Sequence, residues 1–103
     1  MTTKITVIYD NPVDPAAFEQ AFPDQLALAQ KVSGARRVDS AKVWPKEDGS
    51  PTPLYRIVDL SFDDYDAACE AVKTEPTTAF LDSVFELATG GVRIAFTDVE
   101  PSA

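Results

Sequence analysis

The hydrophobic period of the chain changes between residues 55 and 72. From 55 to 62 the positions alternate with a period of two, which is typical of a β-strand with one buried face. One set of alternate positions consists of Arg56, Val58, Leu60 and Phe62, and the other of Tyr55, Ile57, Asp59 and Ser61. From 65 to 72 the apolar spacing becomes about 3.6, which predicts an amphipathic helix. Its apolar stripe consists of Tyr65, Ala68, Cys69 and Val72. A strand that leads directly into a helix predicts a sheet with helices on one face.

Similar patterns predict the remaining elements. Strands are expected over 4–9, 36–44 and 92–97, and helices over 15–32 and from residue 76 to the glycines at 90 and 91. Asp14 followed by Pro15 indicates a helix start, because Asp caps free N–H groups and Pro lacks one. Pro23 predicts a kink or a restart of that helix. The segment 45–53 reads as a loop, and 99–103 as a flexible tail.

The order of these elements, β-α-β-β-α-(α)-β, predicts an α+β fold of the ferredoxin-like type, with an antiparallel sheet. A length of 103 residues is that of a single domain. We expect the uncovered sheet face to be apolar, with Tyr55 and Ile57 on it, if Leu60 and Phe62 face the helices. An uncovered apolar face requires a partner, and a second copy of the chain is the simplest one.

Composition excludes several classes of function. The net charge of −8 disfavours nucleic acid and anionic membranes as partners, since both are bound by Lys and Arg. The chain shows no membrane span or signal peptide, and its one cysteine forms no internal disulfide, which together predict a cytoplasmic protein. The absence of histidine removes the usual catalytic triads and histidine-ligated metals. We therefore expect no metal and no cofactor.

Four stretches of the chain resemble the EthD family. They are 7–9 with the following proline turn, 18–34 from Phe18 to Gly34, 58–63 with the sequence Val-Asp-Leu-Ser-Phe-Asp, and 88–92 with the sequence Ala-Thr-Gly-Gly-Val. The resemblance covers nearly the whole chain in order, although each motif alone is weak. It implies a dimeric α/β barrel, in which the sheets of two ferredoxin-like subunits close around a shared interior.

One position departs from that family. EthD proteins commonly carry His-x-Pro-Leu in the first helix, and the matching stretch here begins with Gln25 and lacks the proline. An amide is neither a general acid nor a general base near neutral pH. Gln25 is therefore expected to hydrogen-bond a ligand or to serve the structure.

The candidate catalytic residue is Asp59, a carboxylate in the middle of an apolar strand. Such a group accepts a proton or forms a structural ion pair, for which Arg37 is a candidate partner. Arg37 is also a candidate for holding an anionic ligand. The candidate ligand-binding residues are Tyr9, Phe22, Gln25, Arg37, Trp44 and Tyr55. For the aromatic members, packing in the core or an interface is the alternative role.

Three functions remain open at this point. The resemblance favours a protein that binds a hydrophobic small molecule and is accessory to a catabolic or biosynthetic pathway. The alternatives are a cofactor-free isomerase, cyclase or oxygenase that uses the barrel pocket, and a structural dimer without a ligand. A pocket of about 300 Å³ or more would favour a binding protein or an enzyme over a structural dimer without a ligand.

Overall fold

The structure, a computed structural model, describes residues 1–101. Its elements are β1 (Thr3–Tyr9), α1 (Pro15–Ala29), β2 (Arg37–Lys42), β3 (Arg56–Phe62), α2 (Tyr65–Ala71), α3 (Glu75–Leu87) and β4 (Val92–Asp98). The strands form one antiparallel sheet in the order β2-β3-β1-β4. This confirms the predicted α+β, ferredoxin-like arrangement. Within the predicted tail, the Val99 N–H donates to the Thr2 carbonyl at 2.8 Å, whereas residues 102 and 103 lie outside the described part.

Helix α1 begins as the sequence predicts but ends earlier and does not restart. Asp14 accepts hydrogen bonds from the backbone N–H groups of Ala16 and Ala17 at 3.1 and 3.2 Å. The helix runs continuously through Pro23 and ends at Ala29. Pro23 is exposed, so its ring lies away from the buried face of the helix. That buried face consists of Phe18, Phe22, Gln25 and Ala29.

The helix-facing side of the sheet forms the core. The predicted phase of β3 is correct, because Val58, Leu60 and Phe62 are almost fully buried. In α2 the predicted apolar stripe of Tyr65, Ala68, Cys69 and Val72 is partly wrong. Tyr65 is 56% exposed and its ring contacts the edge strand at Phe96, with the ring centroids 5.8 Å apart. The short side chains of Ala68 and Ala71 are the buried ones, since α2 lies close to the sheet.

The other side of the sheet, here called the open face, is more polar than predicted. Three rows of side chains cross it in register. They are Arg37–Ser61–Lys4–Thr97, Asp39–Asp59–Thr6–Ala95 and Ala41–Ile57–Ile8–Arg93. Only the third row is mainly apolar. The prediction that Tyr55 shares this face is wrong, because β3 begins at Arg56 and the Tyr55 ring packs against Phe18 of α1.

Two turns meet at the end of the sheet where β1 finishes. A Cβ atom on Gly90 would lie 1.8 Å from the carbonyl oxygen of Asn11, so only glycine permits this approach. The Asn11 side-chain amide also donates to the Thr52 carbonyl in the β2–β3 loop. These contacts join the β1–α1, β2–β3 and α3–β4 connections next to Tyr9, the last residue of β1.

Candidate functional site

Four aromatic rings lie together where α1 covers the ends of β1 and β3. They are Tyr9, Phe18, Phe22 and Tyr55, here called the aromatic cluster. The Phe18 ring is central, with its centroid 5.1 Å from that of Tyr9, 5.0 Å from that of Tyr55 and 5.6 Å from that of Phe22. The cluster results from the helical spacing of Phe18 and Phe22 on α1 and from the position of Tyr9 at the last residue of β1.

Arg56 lies against this cluster. It pairs with Tyr9 across the sheet, and its guanidinium carbon is 4.1 Å from the centroid of the Phe22 ring. Its side chain is only 12% exposed. The interpretation of the sequence did not include Arg56 as a functional residue. The available signal was its position in the buried alternation with Val58, Leu60 and Phe62, where a charged side chain needs a partner.

The partner of Arg56 is Glu19 on α1. The Arg56 Nη2 atom donates to the two carboxylate oxygens of Glu19 at 2.9 and 3.0 Å, and the Lys42 ammonium donates to the same carboxylate at 3.0 Å. Desolvation acts to raise the pKa of Glu19, but the hydrogen bonds and charges of Lys42 and Arg56 outweigh it and hold that pKa below its ordinary value. Glu19 is therefore ionised at neutral pH and is shared by two cations.

Three side chains at this site contain buried polar atoms for which the described residues provide no hydrogen-bond partner. The atoms are Tyr9 Oη, both polar atoms of the Gln25 amide, and Arg56 Nε. Burial raises the pKa of the Tyr9 phenol well above its ordinary range, against the opposing charge of Arg56, so the hydroxyl keeps its proton. Because buried polar atoms are nearly always paired in proteins, this group of unpaired atoms marks a candidate site for a polar ligand group.

Two clefts are lined by residues of α1 and of the β2–β3 loop. A cleft of about 260 Å³ lies between α1 and α3 and is lined by Ala21, Gln25, Ser83, Glu86 and Leu87. A second cleft, of about 320 Å³, lies at the β2–β3 loop and includes Lys42, Leu54 and Tyr55 in its walls. Ligand pockets have a lower limit of about 300 Å³, so the first cleft is slightly smaller than this limit and the second slightly larger. Gln25 is 3% exposed, and of the three residues with unpaired buried atoms it is the one that lines the first cleft.

The structure brings together only part of the predicted ligand-binding set. Tyr9, Phe22 and Tyr55 belong to the aromatic cluster, and Gln25 lies one helical turn beyond Phe22 on the same buried face. Trp44 is 86% exposed and lies beside a surface depression of the β2–β3 loop, apart from the cluster. Arg37 is exposed and lies on the open face.

Asp59 also lies on the open face, with the sheet between it and the aromatic cluster. Its carboxylate accepts a hydrogen bond of 2.6 Å from the Thr6 hydroxyl and lies 3.9 Å from the Lys4 ammonium. The predicted ion pair between Asp59 and Arg37 is wrong, because Arg37 pairs at 2.8 Å with Asp39 on its own strand. A catalytic role of Asp59 stays a prediction, separate from the helix-side site.

We expect Asp59→Asn to have little effect on folding. The Lys4 contact is long and partly exposed, and an asparagine oxygen can still accept from Thr6, so unfolding free energy at a fixed protein concentration should change by less than about 1 kcal/mol. Urea denaturation measures this directly. A loss of several kcal/mol would instead show that the carboxylate has a buried, charge-dependent role.

Within residues 1–101, no group of three or more acidic or thiol side chains is arranged to hold a metal ion. The same residues include no helix that is long and apolar enough to cross a membrane.

The structure has an EthD-like fold of the ferredoxin-like α+β class. An EthD (ethyl tert-butyl ether D) family protein from Bacillus halodurans superposes with a TM-score of 0.88 at 20% identity, over 97% of this chain and 100% of that one. A dimeric protein of unknown function with a ferredoxin-like fold, from Bacteroides fragilis, gives a TM-score of 0.66 at 13% identity, over 95% and 96% of the two chains. These identities establish the fold.

Sequence similarity establishes the family. The chain is 30% identical over 98 residues to an uncharacterized 11.0 kDa protein encoded in the thcB-thcC intergenic region of Rhodococcus erythropolis, and the match covers 94% of each chain. The chain therefore belongs to the same family as that Rhodococcus protein. No family model matches the sequence.

Proposed function

We propose that this protein binds an apolar small molecule on the helix side of its sheet and acts as a homodimer joined through the open face. The observation that supports binding most directly is the Gln25 amide. It is 3% exposed, neither of its polar atoms has a partner among the described residues, and it lines the cleft between α1 and α3. An unpaired buried amide costs free energy, and a bound ligand would supply the missing hydrogen bonds.

Binding agrees better than turnover with the chemistry at this site. Gln25 does not transfer protons at neutral pH, and Tyr9 keeps its proton. The negative charge of Glu19 is balanced by ion pairs with Lys42 and Arg56. The remaining functional groups donate or accept hydrogen bonds and provide aromatic contact. An accessory binding protein needs no more than these groups.

The homodimer is supported by the open face and by a structural neighbour. Ile8 and Ile57 lie side by side in the apolar row of this face and are only half-buried within one subunit. The Bacteroides fragilis protein with this fold is described as dimeric. A second open face would cover the two isoleucines without blocking the cleft between α1 and α3, which lies on the other side of the sheet.

A neutral fluorescent probe, N-phenyl-1-naphthylamine, tests the binding site. We expect saturable fluorescence enhancement with wild-type protein. Ala21→Phe should abolish it, because Ala21 is an exposed residue that lines the cleft, and a phenyl ring there would fill much of it. Ala27→Phe is the matched control, since Ala27 is an exposed alanine on the same helix and is absent from that cleft's wall.

Circular dichroism should show both variants folded. Absence of saturable binding to wild-type protein would refute the proposed site. Equal binding by the Ala21→Phe variant would place the ligand elsewhere and would refute it as well.

A further inference from the structure

The open face is nearly neutral in a protein that is strongly acidic overall. Its three rows contain the cations Lys4, Arg37 and Arg93 and the carboxylates Asp39 and Asp59. The whole chain has 17 acidic and 9 basic residues and a formal net charge of −8. Because two copies of an acidic chain repel each other on average, the open face is a surface over which they can approach without that penalty.

Lys4 and Asp59 lie on the two central strands of this face and are poorly paired within one subunit. Arg37 has a direct partner in Asp39, at 2.8 Å on its own strand. The Lys4 ammonium is instead 3.9 Å from Asp59 Oδ2, and no carboxylate among residues 1–101 lies nearer to it. Both side chains are partly buried, with 33% of Lys4 and 22% of Asp59 exposed. Each therefore has a charge that its own subunit compensates only weakly.

The Asp59 carboxylate also has one oxygen available to a further partner. Its Oδ1 atom accepts the hydrogen bond of 2.6 Å from the Thr6 hydroxyl, whereas the contact of Oδ2 is the long one with Lys4. A second ammonium group could bond to Oδ2 without displacing Thr6. The Lys4 ammonium, with three donors, could likewise bond to a second carboxylate.

We infer that the proposed homodimer is held in register by two reciprocal ion pairs, each between Lys4 of one subunit and Asp59 of the other. This inference rests on the proposed homodimer and names the contacts that align its two faces. Contacts across a two-fold axis are reciprocal, so a single axis that passes between Lys4 and Asp59 produces both pairs.

Ion pairs of this kind determine register and partner choice more than affinity, because opposed like charges cost more than a matched pair contributes. Asp59→Asn removes one charge without opposing like charges, so its expected small effect on unfolding is compatible with this role. Reversal of the charge is the informative change.

Charge reversal at each position tests the inference by complementation. Lys4→Glu would oppose two carboxylates across the interface, and Asp59→Lys would oppose two ammonium groups. The dissociation constant of each variant alone should therefore rise by about 100-fold or more. An equimolar mixture of the two variants should form a heterodimer, in which both contacts again join opposite charges. Sedimentation equilibrium at micromolar concentration measures the variants and the mixture.

Lys73→Glu and Glu70→Lys are the matched controls. They change the net charge by the same amounts, in an exposed ion pair of 3.0 Å at the end of α2, on the helix side of the sheet. Both control proteins should remain dimeric, which separates the effect of position from that of overall charge.

Dimeric Lys4→Glu and Asp59→Lys proteins, or a mixture of the two that stays monomeric, would overturn the ion pairs and leave the homodimer intact. A monomeric wild-type protein would overturn both. If circular dichroism shows that a single variant fails to fold, the double variant Lys4→Glu/Asp59→Lys decides the matter. It keeps both pairs with their charges exchanged, so a dimer is expected, and a folded monomer would contradict the inference.

Discussion

Tyr9→Phe should increase the stability of the protein. The Tyr9 side chain is completely buried, and its hydroxyl lacks a partner within the described residues. Removing a buried, unpaired hydroxyl relieves its desolvation penalty, so the free energy of unfolding should rise by about 1–3 kcal/mol.

Tyr65→Phe is the matched control for this variant. The Tyr65 side chain is 56% exposed on α2, so its hydroxyl is in contact with water, and its removal should change stability by less than about 0.5 kcal/mol. Urea denaturation of both variants measures this difference in stability. A less stable Tyr9→Phe protein would show that the hydroxyl forms a structural hydrogen bond.

A buried polar group without a partner, such as the Tyr9 hydroxyl, is what the physics of binding sites leads us to expect. A side chain held ready for a ligand is unsatisfied while the ligand is absent, so the site lowers the stability of the free protein. Gln25 has the same character, with both amide atoms buried and unpaired. The aromatic cluster around these groups supplies the packing that holds them in place.

The sequence predicted the strand phases because burial imposes a period of two on every strand of a one-sided sheet. Val58, Leu60 and Phe62 are in the core as their alternation required. Tyr55 shows the limit of this inference. It lies one residue before the strand, and although its backbone still bonds to Tyr9 and Val43, its ring packs against Phe18 of α1.

The candidate site was predictable only in part, because it depends on contacts between distant segments. The spacing of Phe18, Phe22 and Gln25 on one helix was readable from the sequence. The pairing of Arg56 with Glu19 joins positions 37 residues apart, and no local pattern specifies it. By contrast, Arg37 and Asp39 are two residues apart on one strand, so the alternation of that strand already placed them on the same side, whereas Asp59 contacts Thr6 and Lys4.

Ile57→Asp should dissociate the proposed homodimer. Ile57 pairs with Ile8 in the apolar row at one end of the open face, and the adjacent row already contains Asp39 directly opposite Asp59. An added aspartate would place a third carboxylate beside this acidic pair, and two-fold symmetry would place the new charge on both subunits. Burial of unpaired like charges costs several kcal/mol, so the dissociation constant should rise by about 100-fold or more.

The subunit itself should remain folded, because Ile57 is only half-buried within it and an aspartate there can reach water when the partner is absent. Val13→Asp is the matched control, since Val13 is 80% exposed in the β1–α1 connection and lies away from the open face. Sedimentation equilibrium over micromolar concentrations should show a dimer for the wild-type and Val13→Asp proteins and a monomer for Ile57→Asp. A wild-type protein that sediments only as a monomer would contradict the homodimer, and a dimeric Ile57→Asp protein would move the interface to another surface.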